Sequence, residues 1–233
     1  DALRLLEAAY ESTAKYDKLA RLLEGHLSRT HNEVERRSLR LRVAELSTSK
    51  LGDAAGAYGA LEAAFLDNPT DPDLWDRLAR AAEAAKQHES LAAAYTMALE
   101  TGQLADADAA DLARRVAALY DDVLGRPDAA EPFHKRAFAH DSLDERAFLA
   151  LKELYTNRER WEDLQVLYRN RIAQTVEATA KYDLLMQVCF LFEELLDDPV
   201  LAIRAYQDVV DLEPNDDPAR AALERLYRRT ARW

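Results

Sequence analysis

Apolar residues along this chain recur at helical spacing. Leu184, Val188, Leu191, Phe192 and Leu195 fall three or four residues apart and mark one inward helix face. Polar punctuation brackets such stretches. Asp53 follows Gly52, Pro72 follows Asp71, Pro199 follows Asp198 and Pro218 follows Asp217, each a helix-start signal of capping side chain or first-turn proline. The pattern predicts thirteen helices, roughly 2–13, 16–29, 32–50, 53–66, 72–86, 88–101, 106–124, 127–139, 144–157, 161–175, 178–196, 199–211 and 217–231.

The helices repeat in pairs of hairpins. Tyr16, His88, Trp161 and Trp233, at the entry to a second helix, step by 72, 73 and 72 residues. Tyr10, Ala82, Tyr155 and Tyr227 take the same steps, and Leu19, Leu91 and Leu164 step by 72 and 73. A fourth series, Tyr58, Phe133 and Tyr206, steps by 75 and 73, each aromatic lying four residues after Ala54, Ala129 or Ala202. The unit is therefore about 73 residues long and holds two hairpins of different character. The hairpins are expected at about 1–30, 32–69, 72–102, 106–141, 144–176 and 178–215, with a final helix at 217–233. No composition shift or linker divides them, so one domain over 1–233 is expected.

Within the odd hairpins, Trp75, Leu78, Ala79, Ala82, Leu91, Tyr95 and Ala98 carry an aromatic, leucine and small-residue spacing. Phe148, Leu151, Lys152, Tyr155, Leu164 and Tyr168 repeat it, as do Leu3, Leu6, Glu7, Tyr10, Leu19 and Leu23. The third even hairpin adds Ala202-Ile203, Ala205-Tyr206 and Leu212-Glu213-Pro214-Asn215. The chain thus resembles the tetratricopeptide repeat family over essentially its whole length. It departs at Glu7 and Lys152, where the family has a small residue, and Ser142 stands where Pro69 and Pro214 close the neighbouring hairpins. The resemblance implies an all-α, right-handed solenoid of antiparallel hairpins in which each unit buries its apolar face against its neighbours.

Composition agrees with helix. Six glycines and seven prolines in 233 residues are too few for the dense turns of a sandwich or barrel. The hydrophobic share of 48% beside 32% charge excludes disorder. The net charge of −12 opposes a nucleic-acid backbone and argues against an RNA-binding helical repeat. Its stacking aromatics would be Trp75, Tyr95, Tyr155, Tyr168 and Tyr206, all of which fall on core positions of the repeat. The most apolar run, 184–196, contains Gln187, Glu193 and Glu194 and is short of a membrane span. Nothing here specifies a compartment, though a reducing cytoplasm fits. A chain that opens on Asp1 and stops at Trp233 in mid-unit reads as a piece of a longer, bacterial-looking array. The alternative is that the arginine-rich last helix (Arg220, Arg225, Arg228, Arg229, Arg232) is its cap.

Candidate chemistry is sparse. His26 and His31 lie five apart and His134 and His140 six apart, neither the i,i+4 spacing that puts two rings on one helix face. Cys189 aligns with Ala44 and Ala117 and reads as a core thiol, and His88 as a packing residue at a hairpin turn. No phosphate loop, nucleophile elbow or convergent carboxylate pair is present, so no catalytic residue, metal or cofactor is expected. What remains is surface. The resemblance implies that first-helix positions line a concave face that takes a peptide or protein segment. Carried over residue by residue, these are Asp1, Arg4, Ala8 and Glu11, then Asp73, Asp76, Arg80 and Glu83, then Arg146, Leu149, Glu153 and Thr156, with Arg225 and Arg228 on the last helix. The Lys and Asn clamp of the chaperone-binding members is absent. The expectation is a non-catalytic protein–protein interaction scaffold, its partner a polar or basic segment. Its alternatives are a spacer in a larger repeat protein and solvated helix faces without a ligand. End-to-end self-association through an uncovered terminal face is also expected.

Overall fold

The computed structural model describes residues 2–230, so the readings placed on Asp1, Arg232 and Trp233 lie outside the described residues. Every regular element among the described residues is helical, and thirteen α-helices follow in order. They are α1 (Ala2–Ser12), α2 (Tyr16–Leu27), α3 (Glu33–Leu46), α4 (Ala54–Asp67), α5 (Pro72–Ala85), α6 (His88–Glu100) and α7 (Asp106–Ala118), then α8 (Pro127–His140), α9 (Glu145–Asn157), α10 (Trp161–Gln174), α11 (Ala178–Phe190), α12 (Pro199–Leu212) and α13 (Asp217–Thr230). Counting the terminal turns described next, they match the sequence expectation to within two residues at each end.

The long first helices expected at 32–50, 106–124 and 178–196 do not stay α-helical. Their last turns, Ser47–Leu51, Leu119–Val123 and Leu191–Leu195, are wider π turns, which begin 72 residues apart. Each leads into a residue with left-handed backbone: Gly52 (φ 65°), Gly125 (φ 63°) and Asp197 (φ 48°). The next amide reaches back six residues, Asp53 N–H to the Ser47 carbonyl at 2.9 Å, Arg126 to Tyr120 at 2.7 Å and Asp198 to Phe192 at 2.9 Å. These bonds satisfy the carbonyls that the end of a helix leaves open.

The odd hairpins turn differently. Ala14, Lys86 and Glu159 hold positive φ, and the amides of Lys15, Gln87 and Arg160 donate to the carbonyls of Tyr10, Ala82 and Tyr155 at 2.9, 2.8 and 2.8 Å. This is the six-to-one closure of a Schellman turn, and it fixes Tyr16, His88 and Trp161 as the first residues of α2, α6 and α10. One sequence series shifts in the structure. Counting from the left-handed residues puts Leu61, His134 and Tyr206 at the same place, nine residues on. Phe133 precedes that place and lies half-buried, stacked on Tyr120 at 5.8 Å, while His134 is buried. The 75-residue step from Tyr58 reflects this offset.

The packing divides into two compact units, residues 1–133 and 134–233. In the first, each of α1 to α6 packs on the helix that follows it. Leu19, Leu23, Leu39, Val43 and Leu46 form a small core near the start. A larger core gathers Phe65, Trp75, Leu78, Tyr95, Leu112 and Val116. There the Trp75 Nε1–H donates to the Pro69 carbonyl at 2.8 Å, the Tyr95 hydroxyl to the Trp75 carbonyl at 2.7 Å, and Phe65 meets Tyr95 edge-on at 5.4 Å. Burying each indole or phenol with its polar atom satisfied keeps the apolar gain without a desolvation penalty. In the second unit α9 to α13 pack in the same sequential way around Phe148, Leu151, Tyr155, Tyr168, Phe192 and Cys189. Cys189 is fully buried, as are Ala44 and Ala117 with which it aligns. The five aromatics of the RNA-stacking alternative are all buried, so no stacking platform faces solvent.

Candidate functional site

In the first unit, α3 and α5 are first helices of neighbouring hairpins, with α4 packed on both. The N-terminal half of α3 is tied to the end of α4 and to the residue that caps α5. Arg36 and Arg40 pair with Asp67, the Arg40 Nη1–H donates to the Ala63 carbonyl at 2.7 Å, and Arg37 pairs with Asp71. Towards their C-terminal ends the two helices part around a cleft of about 510 Å3. Its lining is Ala44, Ala54, Ala57, Leu61, Ala81 and Ala84, with Glu45, Thr48, Ser49, Arg77 and Arg80 at the rim. The cleft exists because methyl groups occupy positions that larger side chains would fill. Gly52 and the π turn carrying Thr48 and Ser49 form its end.

The charges around this cleft differ from those along the neighbouring first helices. Arg42 of α3 pairs with Glu7 and Glu11 of α1, both at 2.5 Å, and Arg115 of α7 pairs with Asp76 of α5 at 2.7 Å while lying over the Trp75 ring at 5.6 Å. In the second unit, Lys152 of α9 donates to Gln187 of α11 at 2.9 Å. Between α3 and α5 this bridging lapses at the cleft. Arg77 makes no hydrogen bond or ion pair among the described residues, and Arg80 makes only a bond from Nε to the Asp76 carbonyl at 3.2 Å. Two guanidinium forks, each with donors to spare, thus stand one helical turn apart over an apolar floor.

The expected site residues scatter. Arg80 lines the cleft. Asp76 is taken up by Arg115, Glu83 faces His88 at 3.6 Å at the far end of α5, and Asp73 lies exposed in the first turn of that helix. Arg4 is exposed on α1. In the second unit Arg146, Leu149 and Glu153 are exposed on α9, while Arg225 pairs with Glu193 and Arg228 with Glu224 of its own helix. Arg77 was not among the expected residues, since the family's groove spacing selects Arg80 and passes over its neighbour. An arginine three residues before Arg80, beside a run of alanines, was the available signal.

A second cleft of about 390 Å3 lies wholly in the other unit, between the second helices α10 and α12 with α11 as its floor. Among the described residues no cluster of three or more His, Cys, Asp or Glu is arranged to hold a metal ion, and no helix is long and apolar enough to cross a membrane.

No protein-family model matches the chain. No curated protein matches it either. Solved structures do. A tetratricopeptide repeat protein from Parabacteroides merdae is 15% identical over 84% of this chain and 74% of its own, with a TM-score of 0.39. The pilF protein of Pseudomonas aeruginosa is 10% identical over 98% of this chain and 96% of its own, at 0.37. The Naa15/Naa10 complex bound to HypK aligns at 14% identity over 97% of this chain and 40% of the matched one, at 0.34. The chain is similar to tetratricopeptide repeat proteins in fold. At these scores the likeness adds nothing to what the helical hairpins themselves display.

Proposed function

We propose that this chain is a non-catalytic protein-interaction scaffold that takes a peptide or protein segment along the face made by its first helices. The α3–α5 cleft is the principal seat in the first unit. The observation that supports this reading is the pairing of an alanine-lined cleft with two arginines, Arg77 and Arg80, that no carboxylate among the described residues engages. Free guanidinium groups in a chain of net charge −12 are an uncommon resource, since most nearby arginines are held in ion pairs. A partner segment with an apolar side chain for the floor and carboxylates for the rim fits both features. This revises the expected polar or basic partner towards an acidic one. The remaining first-helix positions flank the binding face of their own unit, Arg4, Asp73 and Glu83 in the first and Arg146, Leu149, Glu153, Arg225 and Arg228 in the second, contributing register more than affinity.

The test replaces Ser49 by a photo-crosslinking phenylalanine and irradiates the protein in source-cell lysate. Wild type is compared with Arg77→Glu/Arg80→Glu and with Ala84→Trp, which fills the cleft from an exposed position. A single adduct lost in both variants, with helicity and melting temperature kept, supports the seat. An adduct unchanged in both moves the binding surface elsewhere.

A further inference from the structure

The second cleft differs in chemistry from the first and belongs to the opposite helices of its hairpins. Its floor is Leu185 and Val188 of α11 with Phe192 of the π turn that follows it, buried residues whose side chains form the base of the opening. Tyr168 and Ile172 of α10 and Leu201 and Ala205 of α12 build the walls. Three helices line it, and the half-open cleft of about 390 Å3 is of a size that suits one small ligand. Arg169 rises from one wall and Arg204 from the other, and both are exposed at the mouth.

Neither arginine makes a hydrogen bond or ion pair among the described residues. One carboxylate, Asp208, shares the rim, and Gln165 adds an amide. Burial pushes the Asp208 carboxyl up, as does Asp211, while Lys181 pulls it down. Two cations from opposite walls against one such acid leave the mouth positive above a hydrocarbon-like base. At α10 other arginines do find partners: Arg160, just before the helix, holds Asp163, and Arg171 donates to the Ser142 carbonyl at 3.0 Å and pairs with Glu145. The lack of a partner at Arg169 is therefore local to the cleft.

We infer that this cleft binds a single-chain anionic amphiphile, a carboxylate of about ten to twelve carbons, with its tail on Leu185, Val188 and Phe192 and its head between Arg169 and Arg204. A planar guanidinium meets a carboxylate in two parallel hydrogen bonds, and two of them from facing walls fix a head group that a single lysine would leave free to swing. The alkyl chain replaces the contacts that the open floor lacks. This site is independent of the α3–α5 cleft, so either assignment stands or falls alone.

The test titrates the whole chain with dodecanoate, below its micelle concentration, by calorimetry and by the carboxyl carbon signal of labelled ligand. Saturable one-to-one binding is expected, weakened more than about tenfold in Arg169→Gln/Arg204→Gln. Ala173→Phe, at an exposed wall position, is expected to abolish it while leaving the melting temperature in place. Dodecanol, with the same tail and no charge, is expected to bind at least about tenfold more weakly. Equal binding to wild type and the double variant overturns the head-group assignment, and absence of saturable binding overturns the site. Retention in Ala173→Phe places any binding elsewhere. Binding of an acidic amphipathic peptide, with none of dodecanoate, gives the cleft to a protein segment instead.

Discussion

Single residues carry recurrent strain at the tight turns. Ala14, Lys86 and Glu159 all sit at φ near +50°, a region where a Cβ crowds the following carbonyl and where glycine costs nothing. Each is held there by the closure bond from the next amide. The even turns show the relaxed solution at Gly52 and Gly125, whereas Asp197 repeats the strained one. Lys86 is exposed, and its side chain makes no hydrogen bond, ion pair or ring contact among the described residues that would be lost on truncation. Lys86→Gly is therefore expected to stabilise the chain by about 1 kcal/mol, less the backbone entropy glycine gains in the unfolded state. Chemical denaturation of the two proteins measures it, and a destabilised variant would show that the turn is not under strain.

At the level of the helix, first-helix starts with a described cap follow a rule with one exception. Asp71, Asp144 and Asp216 cap α5, α9 and α13 by accepting from Asp73, Ala147 and Ala219 amides at 3.1, 3.0 and 2.6 Å. In the other hairpins Asn32 accepts from the Glu35 amide at 3.0 Å, and Glu177 from Thr179 at 3.0 Å and from Ala180. The third member of that set is Ala105, extended at φ −63°, ψ 155°, and unable to cap α7. Ala105→Asn is expected to add about 1 kcal/mol, read as a rise in melting temperature, with Ala105→Val as the uncapped control. The caps explain why helix positions were legible in the sequence: Asp53, Asp71 and Asp198 announce a start chemically. The π turns were not legible, because a switch from i−4 to i−5 bonding leaves no period in the side chains and only the later Gly52 or Gly125 hints at it. The cleft was half legible. Arg80 followed from spacing, but its opening depends on how far Ala44 stands from Ala81 and Ala84, and on Arg36, Arg37 and Arg40 closing the other end. Both are properties of packing.

Across the molecule, several phenols and the thiol are kept neutral by the fold. Burial pushes Tyr95 and Tyr168 up to about 12. Tyr58 and Tyr206 are driven up by burial and then by the carboxylates of Glu62 and Glu193 that their hydroxyls meet. Burial, with Asp208 and Glu193 adding, pushes the Cys189 thiol up to about 12. In each case the unfolded chain releases its proton near the ordinary value of 9 or 10, while the native state holds it until about 12 or beyond. Between those limits the unfolded state binds fewer protons, so stability falls as pH rises. The contribution is complete below pH 9 and erodes through the window from 9 to 12. The net charge of −12 pushes the same way, since each added anion increases self-repulsion. Thermal melts from pH 8 to 11 are expected to show a flat top and then a steady fall, persisting in high salt that screens the surface component. Tyr168→Phe removes one such proton and its bond to Gln187, so its melting temperature is expected to lie lower at pH 8 and to fall less steeply above pH 10. Phenolate absorbance at 295 nm, appearing together with loss of helicity for the buried set and before it for the exposed tyrosines, identifies these groups as the source. Ionisation of all ten tyrosines in one step near pH 10, with helicity intact, would rule it out.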